Sequence, residues 1–177
     1  MELPDLADEL LRRQDDDQRA RKALIPLFRQ RQQAGITPEQ RQATDEVAGI
    51  DQANTQWLAE VVDRHGWPGH SLVGRQGASA AWLLVQHADH DASFQRRCLD
   101  LMTAMPAGEV QPQHIAYLTD RVLLAEGAPQ LYGTQIQHVD GVYQPRNQAD
   151  PDNVDQRRAS VGLPPLADYL RHFLDDT

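Results

Sequence analysis

Apolar residues recur at three- and four-residue spacing through most of the chain, which predicts helices rather than strands. Leu6, Leu10 and Leu11 open the pattern, and Ala23, Leu24, Leu27 and Phe28 continue it. Pro26 lies inside the second group, so a kink or a restarted helix is expected there. Gly35 then reads as a stop, Thr37 as an N-cap, Pro38 as the first helical residue and Glu39 as a first-turn acid. The helix this predicts carries Val47 and Ile50 in a weakly apolar first half. Trp57, Leu58, Val61 and Val62 make a firmer second half, as one long helix or two. In "RHGWPGHSLVG" the residues Gly66, Pro68, Gly69 and Gly74 predict a loop of fixed shape. Further helices follow over 76–89, over 92–105 and from Pro112 to Gly127, the last with a stripe of Ile115, Leu118, Val122 and Ala125. Short loops between them predict antiparallel neighbours.

Beyond Gly127 the period falls to about two. Asp140-Gly141 signals a two-residue hairpin turn of type I′, which pairs Val139 with Val142 and His138 with Tyr143. The alternation places Tyr132, Thr134, Ile136 and His138 on one face, and Gln135, Gln137 and Val139 on the other. A short capped helix, a Gly-Leu-Pro-Pro break and a final amphipathic helix close the chain. The expected fold is mainly α, a single-domain helical bundle over 1–177 with one C-terminal β-hairpin, in which 1–50 is a helical extension and 51–170 the core.

A length of 177 residues suffices to bury a core without disulfides or a structural metal. The net charge of −9 and pI near 5.1 argue against nucleic acid held through phosphate contacts. "RRQDDDQRARK" mixes both signs and reads as a solvated helix face. The lone Cys98 rules out an intrachain disulfide. With no secretory signal pattern and no run long enough for a bilayer, the chain is expected to be soluble and cytoplasmic, with no membrane partner.

Candidate chemistry begins at "AAWLLVQHADHD". The helix is apolar on nearly every side, yet Gln86 and His87 occupy its last turn. A buried imidazole must place a donor and an acceptor. It is therefore either a core histidine bonded to backbone or a general acid or base, for which histidine's ordinary pKa near 6.5 is suited. His87 and His90 with Asp91 could offer metal ligands, a weaker reading because no second cluster with helical spacing appears. The expectation is no metal and no organic cofactor. In "YLTDRVLL" the charges Asp120 and Arg121 are flanked by apolar surface, which is costly unless they are paired. Asp120 could orient a histidine and Arg121 could hold an anionic group, or both could tie helices together. "PQLYGTQ" sets Gln130, Tyr132, Thr134 and Gln135 around Gly133, the makings of a polar pocket wall or of an ordinary polar hairpin.

The series "NTQWL", "GWP" with a following "VG", "WLLVQHAD" with "FQ", "YLTDRV", "QLYGTQ" and "RRASVGLPPLADY" resembles a bacterial family known only as an uncharacterised domain. It covers roughly Asp51 to Tyr169 and leaves the first fifty residues outside. The resemblance implies no activity. It does imply that Asn54, Trp67, Pro68, Gly74, Gln86, His87, Asp89, Asp120, Arg121, Gln130, Tyr132, Gly133, Thr134, Gln135, Arg158 and Gly162 fall in the family's signature segments.

The resulting expectation is a pocket where the three polar clusters converge. His87 acts there as acid or base, Asp120 fixes its tautomer, and Gln86, Arg121, Gln130, Tyr132, Thr134 and Gln135 bind a small polar or anionic substrate for hydrolysis or elimination. The alternative is a non-catalytic module whose polar residues fix helix packing, with the N-terminal helices meeting a second copy or another protein.

Overall fold

The computed structural model describes residues 3–29 and 35–175. Among these described residues seven α-helices follow in order, α1 Leu3–Arg29, α2 Pro38–His65, α3 His70–Gln86, α4 Ala92–Ala104, α5 Pro112–Ala125, α6 Val154–Ser160 and α7 Leu166–Asp175. One antiparallel pair, β1 Ile136–Val139 and β2 Val142–Pro145, stands between α5 and α6. The fold is mainly α with a single C-terminal hairpin. The residues group into two compact units, Met1–Phe94 and Gln95–Thr177, with the boundary inside α4.

In the first unit α1, α2 and α3 pack against one another. Leu6 and Leu10 of α1, Val47, Leu58, Val61 and Val62 of α2, and Ala78, Ala81, Leu84 and Val85 of α3 are buried. Small residues let α3 approach α1 closely: a Cβ placed on Gly77 would lie 3.6 Å from Cβ of Ala7. α1 runs unbroken through Pro26, because proline costs a helix one hydrogen bond and the following turns still close. α2 is one helix of 28 residues. Its start is a full capping box: Thr37 Oγ1 accepts from the Gln40 amide at 3.2 Å, and Gln40 Oε1 accepts from the Thr37 amide at 2.8 Å.

The expected loop before α3 is shorter than the glycines suggested. Residues 70–73 already form a helical turn, and Gly74, with φ 70° and ψ 171°, breaks it before the main run. A residue with a side chain rarely adopts that φ, so Gly74 marks a bend inside α3 rather than a loop. At the other end α3 stops at Gln86, three residues short of the expected Asp89, and His87 becomes its C-cap.

In the second unit the hairpin has the anticipated register, Val139 opposite Val142 and His138 opposite Tyr143. Its turn residues Asp140 and Gly141 have φ of 51° and 83°, the positive values a type I′ turn requires. The strand is shorter than the alternation implied. It begins at Ile136, and residues 131–135 are irregular, so Tyr132 and Thr134 are not strand residues. Gly133, at φ 65°, turns the chain there, and the Asp120 carboxylate draws the neighbouring amides inward. Aromatic rings join the hairpin to α7, with Tyr143 and Phe173 centroids 5.6 Å apart and Tyr169 and Phe173 5.3 Å apart. No helix among the described residues is long and apolar enough to cross a membrane.

Candidate functional site

The polar residues picked out from sequence divide between the two units. Gln86 and His87 belong to the first; Asp120, Arg121, Gln130, Tyr132, Thr134 and Gln135 belong to the second.

Asp17 of α1 and Asp51 of α2 meet His87 in the first unit, and Arg21, one turn after Asp17, runs between them. Nδ1 of His87 lies 2.9 Å from Oδ1 of Asp17. The Arg21 Nε–H lies 3.1 Å from that same oxygen and 3.1 Å from His87 Nδ1. Arg21 Nη2 donates to Oδ1 of Asp51 at 2.5 Å. The Asp17 side chain is 1% exposed and that of His87 20%. A cavity of about 220 Å³ opens at this point, lined by Arg21, Ala48, Asp51, Gln52, His87, Asp89 and His90.

Protonation follows from the geometry. A nitrogen lone pair and a carboxylate lone pair repel at 2.9 Å, so the contact between His87 and Asp17 needs a proton between them. Burial pushes the Asp17 carboxyl up, but hydrogen bonds from His87 and Gln18 and the charge of Arg21 outweigh it and hold the group below its ordinary value. Asp17 is therefore ionised and accepts from Nδ1–H, while Arg21 gives its Nε–H to the same carboxylate. The other ring nitrogen, Nε2, takes no part in this contact. Asp51 moves the opposite way: burial pushes it above the ordinary value, and the hydrogen bond and charge of Arg21 only partly offset this. Two carboxylates a few ångströms apart thus differ in proton affinity, a division commonly found where one group must stay charged and another must exchange a proton.

Asp17, Asp51 and His87 each turn a ligand atom to within 4.8 Å of the others, so they could also hold a metal ion. The Arg21 guanidinium lies among those atoms, bonded to both carboxylates. A metal would have to displace it. His90, the weaker candidate for a companion ligand to His87, lines the same cavity.

In the second unit Asp120, fully buried, accepts from the backbone amides of Leu131 (2.7 Å), Tyr132 (2.9 Å) and Thr134 (2.9 Å) and from Thr134 Oγ1 (2.9 Å). Gln130 spans the same loop, its Oε1 accepting from the Gln135 amide at 2.9 Å and its Nε2 donating to the carbonyls of Gln135 and Arg146. Gln135 donates from Nε2 to Thr134 Oγ1. The carbonyl of Tyr132 accepts from Nη1 of the fully buried Arg158 at 2.6 Å, and the Pro164 carbonyl accepts from its Nε at 2.6 Å. Burial lowers the Arg158 pKa, and the face of the Tyr169 ring, 5.0 Å away, gives the cation an electron-rich neighbour. Arg121 and Gln86 are part-buried and buried respectively, and both are engaged by other groups. Asp120, Gln130 and Arg158 hold backbone groups of the second unit, and the carboxylate bonded to His87 is that of Asp17.

Asp17, Arg21 and Asp51 were not among the residues singled out from the sequence. A signal was present: Asp17 continues the spacing of Leu6 and Leu10, four and then seven residues on, and Asp51 precedes Asn54, Thr55 and Leu58 by three, four and seven. A charge at a position where the stripe calls for an apolar residue is a stronger clue than the mixed-charge run around it.

The chain belongs to a family of unknown function, DUF6624, whose pattern matches residues 4–177. The match takes in α1, and with it Asp17 and Arg21, beyond the span the sequence segments indicated. No curated protein and no solved structure matches the chain.

Proposed function

For this member of a family without an assigned activity, we propose an acid–base enzyme of the hydrolase or lyase type that acts on a small polar molecule in the cavity beside His87. The supporting observation is the contact of His87 Nδ1 with a buried, ionised Asp17. It sets the ring's tautomer and orientation and leaves Nε2 to take and return a proton. Asp17 is the positioning residue, and Arg21 holds Asp17 and Asp51 in register. The cavity is smaller than the roughly 300–1,000 Å³ usual for drug-sized ligands, which favours a compact substrate. We place the protein in the cytoplasm, where a lone thiol such as Cys98 stays reduced.

The test is consumption of a pool of polar metabolites, followed by mass spectrometry, with the parent protein, His87→Gln and Asp17→Asn. The parent is expected to deplete at least one compound. His87→Gln should slow that reaction by about 10²–10⁴, the usual worth of a general acid or base, and Asp17→Asn by less. Equal depletion by the parent and His87→Gln, or none by the parent, defeats the reading.

A second reading, a non-catalytic module, draws support from the second unit. There Asp120 and Gln130 spend their hydrogen bonds on the backbone of residues 130–135 and 146, as a structural network does. A protein whose His87 variants alter folding alone would fit it.

A further inference from the structure

Taking the cavity beside His87 as the reaction site, we infer that its substrate carries a positive charge, as an amine or guanidine, rather than a carboxylate or phosphate. Arg21 is the only guanidinium or ammonium group among the described residues lining the cavity. Its charge is already offset on two sides, because its Nε is bonded to Asp17 at 3.1 Å and its Nη2 to Asp51 at 2.5 Å. One positive charge bracketed by two negative ones leaves a net charge of −1 before any other group is counted. Asp89 adds a further carboxylate to the wall.

A concave site with walls of one sign focuses the potential and selects a guest of the opposite sign. An anion entering here would lie against Asp51, beside a guanidinium whose charge two carboxylates already offset, a repulsive arrangement that specificity commonly exploits. The position of Arg21 is instructive in itself. The chain has already placed a guanidinium against Asp17 and Asp51, so the acceptors and charges that recognise such a group are present. Ala48 and Gln52, one turn apart on α2, offer a short uncharged wall for the carbon skeleton. The substrate's cationic end would rest near Asp51, and its reacting atom near Nε2 of His87.

Two probes of equal length and opposite charge, 1,4-diaminobutane and succinate, separate the outcomes. Each is titrated into the full chain at fixed ionic strength, and the ring resonance of His87 is followed by NMR. The diamine should give a saturable shift and succinate none. Asp51→Asn should weaken the diamine at least tenfold, whereas Asp8→Asn, a change at an exposed acid of α1, should leave it unaltered. Saturation by succinate, silence with both probes, or equal weakening in Asp8→Asn would each overturn the inference. So would magnesium or manganese binding that excludes the diamine, since the site would then be a metal site. Failure here is distinct from failure of the acid–base reading: the probes report charge selection alone, while loss of turnover in His87→Gln reports proton transfer alone.

Discussion

Nδ1 of His87 and Oδ1 of Asp17 lie 2.9 Å apart although seventy residues separate them in the chain. The contact joins the C-cap of α3 to the middle of α1, and it depends on α1, α2 and α3 being packed as a unit. Its carboxylate is buried and its imidazole lines a cavity, so one partner is fixed while the other meets solvent. Opposite proton affinities at Asp17 and Asp51 give this arrangement a testable pH signature.

Asp17 has a folded-state pKa below its ordinary 3.8, so it contributes stability that is present above 3.8 and is lost as pH falls through the folded value. Asp51 has a folded-state pKa above 3.8, so its protonation favours the folded state, an effect present below 3.8 and lost as pH rises through the folded value. Urea unfolding between pH 3 and 7 should therefore show a shallower acid-side loss of stability in Asp17→Asn than in the parent, and a steeper one in Asp51→Asn. Identical slopes in all three proteins would refute the assignment.

Asp120 serves three backbone amides and a hydroxyl at once. Asp120→Ala strands buried donors, each worth about 1–3 kcal/mol when unpaired. It should leave the second unit unfolded or lower its unfolding free energy by several kcal/mol. Asp120→Asn keeps one acceptor and should cost about 1–3 kcal/mol. Hydrogen exchange at the amides of Leu131, Tyr132 and Thr134 should accelerate selectively in the asparagine variant. Unchanged protection there would contradict the anchoring role.

Gly133 and Gly141 both have positive φ, yet they should respond differently to alanine. At Gly141 a Cβ meets open space, so the cost is the backbone strain of about 1 kcal/mol. At Gly133 the same atom would lie 2.9 Å from Oε1 of Gln148 and 3.2 Å from Cδ1 of Leu166, adding a steric term. Gly133→Ala should lower the urea midpoint more than Gly141→Ala. The reverse order would show that the loop around Gly133 can shift freely.

Thr37→Ala removes half of the capping box at the start of α2 and should cost about 0.5–2 kcal/mol. The effect should be visible as faster amide exchange confined to the first turn. Loss of protection along the whole of α2 would mean that the cap does more than finish the helix end.

Local rules reach far into this chain because the features they describe depend on near neighbours. Period 3.6 marked the helices, Thr37 and Pro38 marked the start of α2, and Asp140-Gly141 dictated both the turn and the Val139–Val142 register, since a type I′ turn matches the twist of paired strands. The same rules placed the His87 imidazole at the end of a buried helix and flagged Asp120 and Gln130 as polar groups in need of partners. Tertiary packing chose those partners. Which carboxylate reached His87 depended on the rotation of α1 against α3, and Asp17 lies within a charged run that looks solvated when read in isolation. The strand stopped at Ile136 because Gln130 took the Gln135 amide and Asp120 took those of Leu131, Tyr132 and Thr134, amides that a longer ladder would have used. Spacing along a chain sets which residues share a face; only the assembled helices decide which faces meet, and a hydrogen bond across seventy residues belongs to the second kind of information.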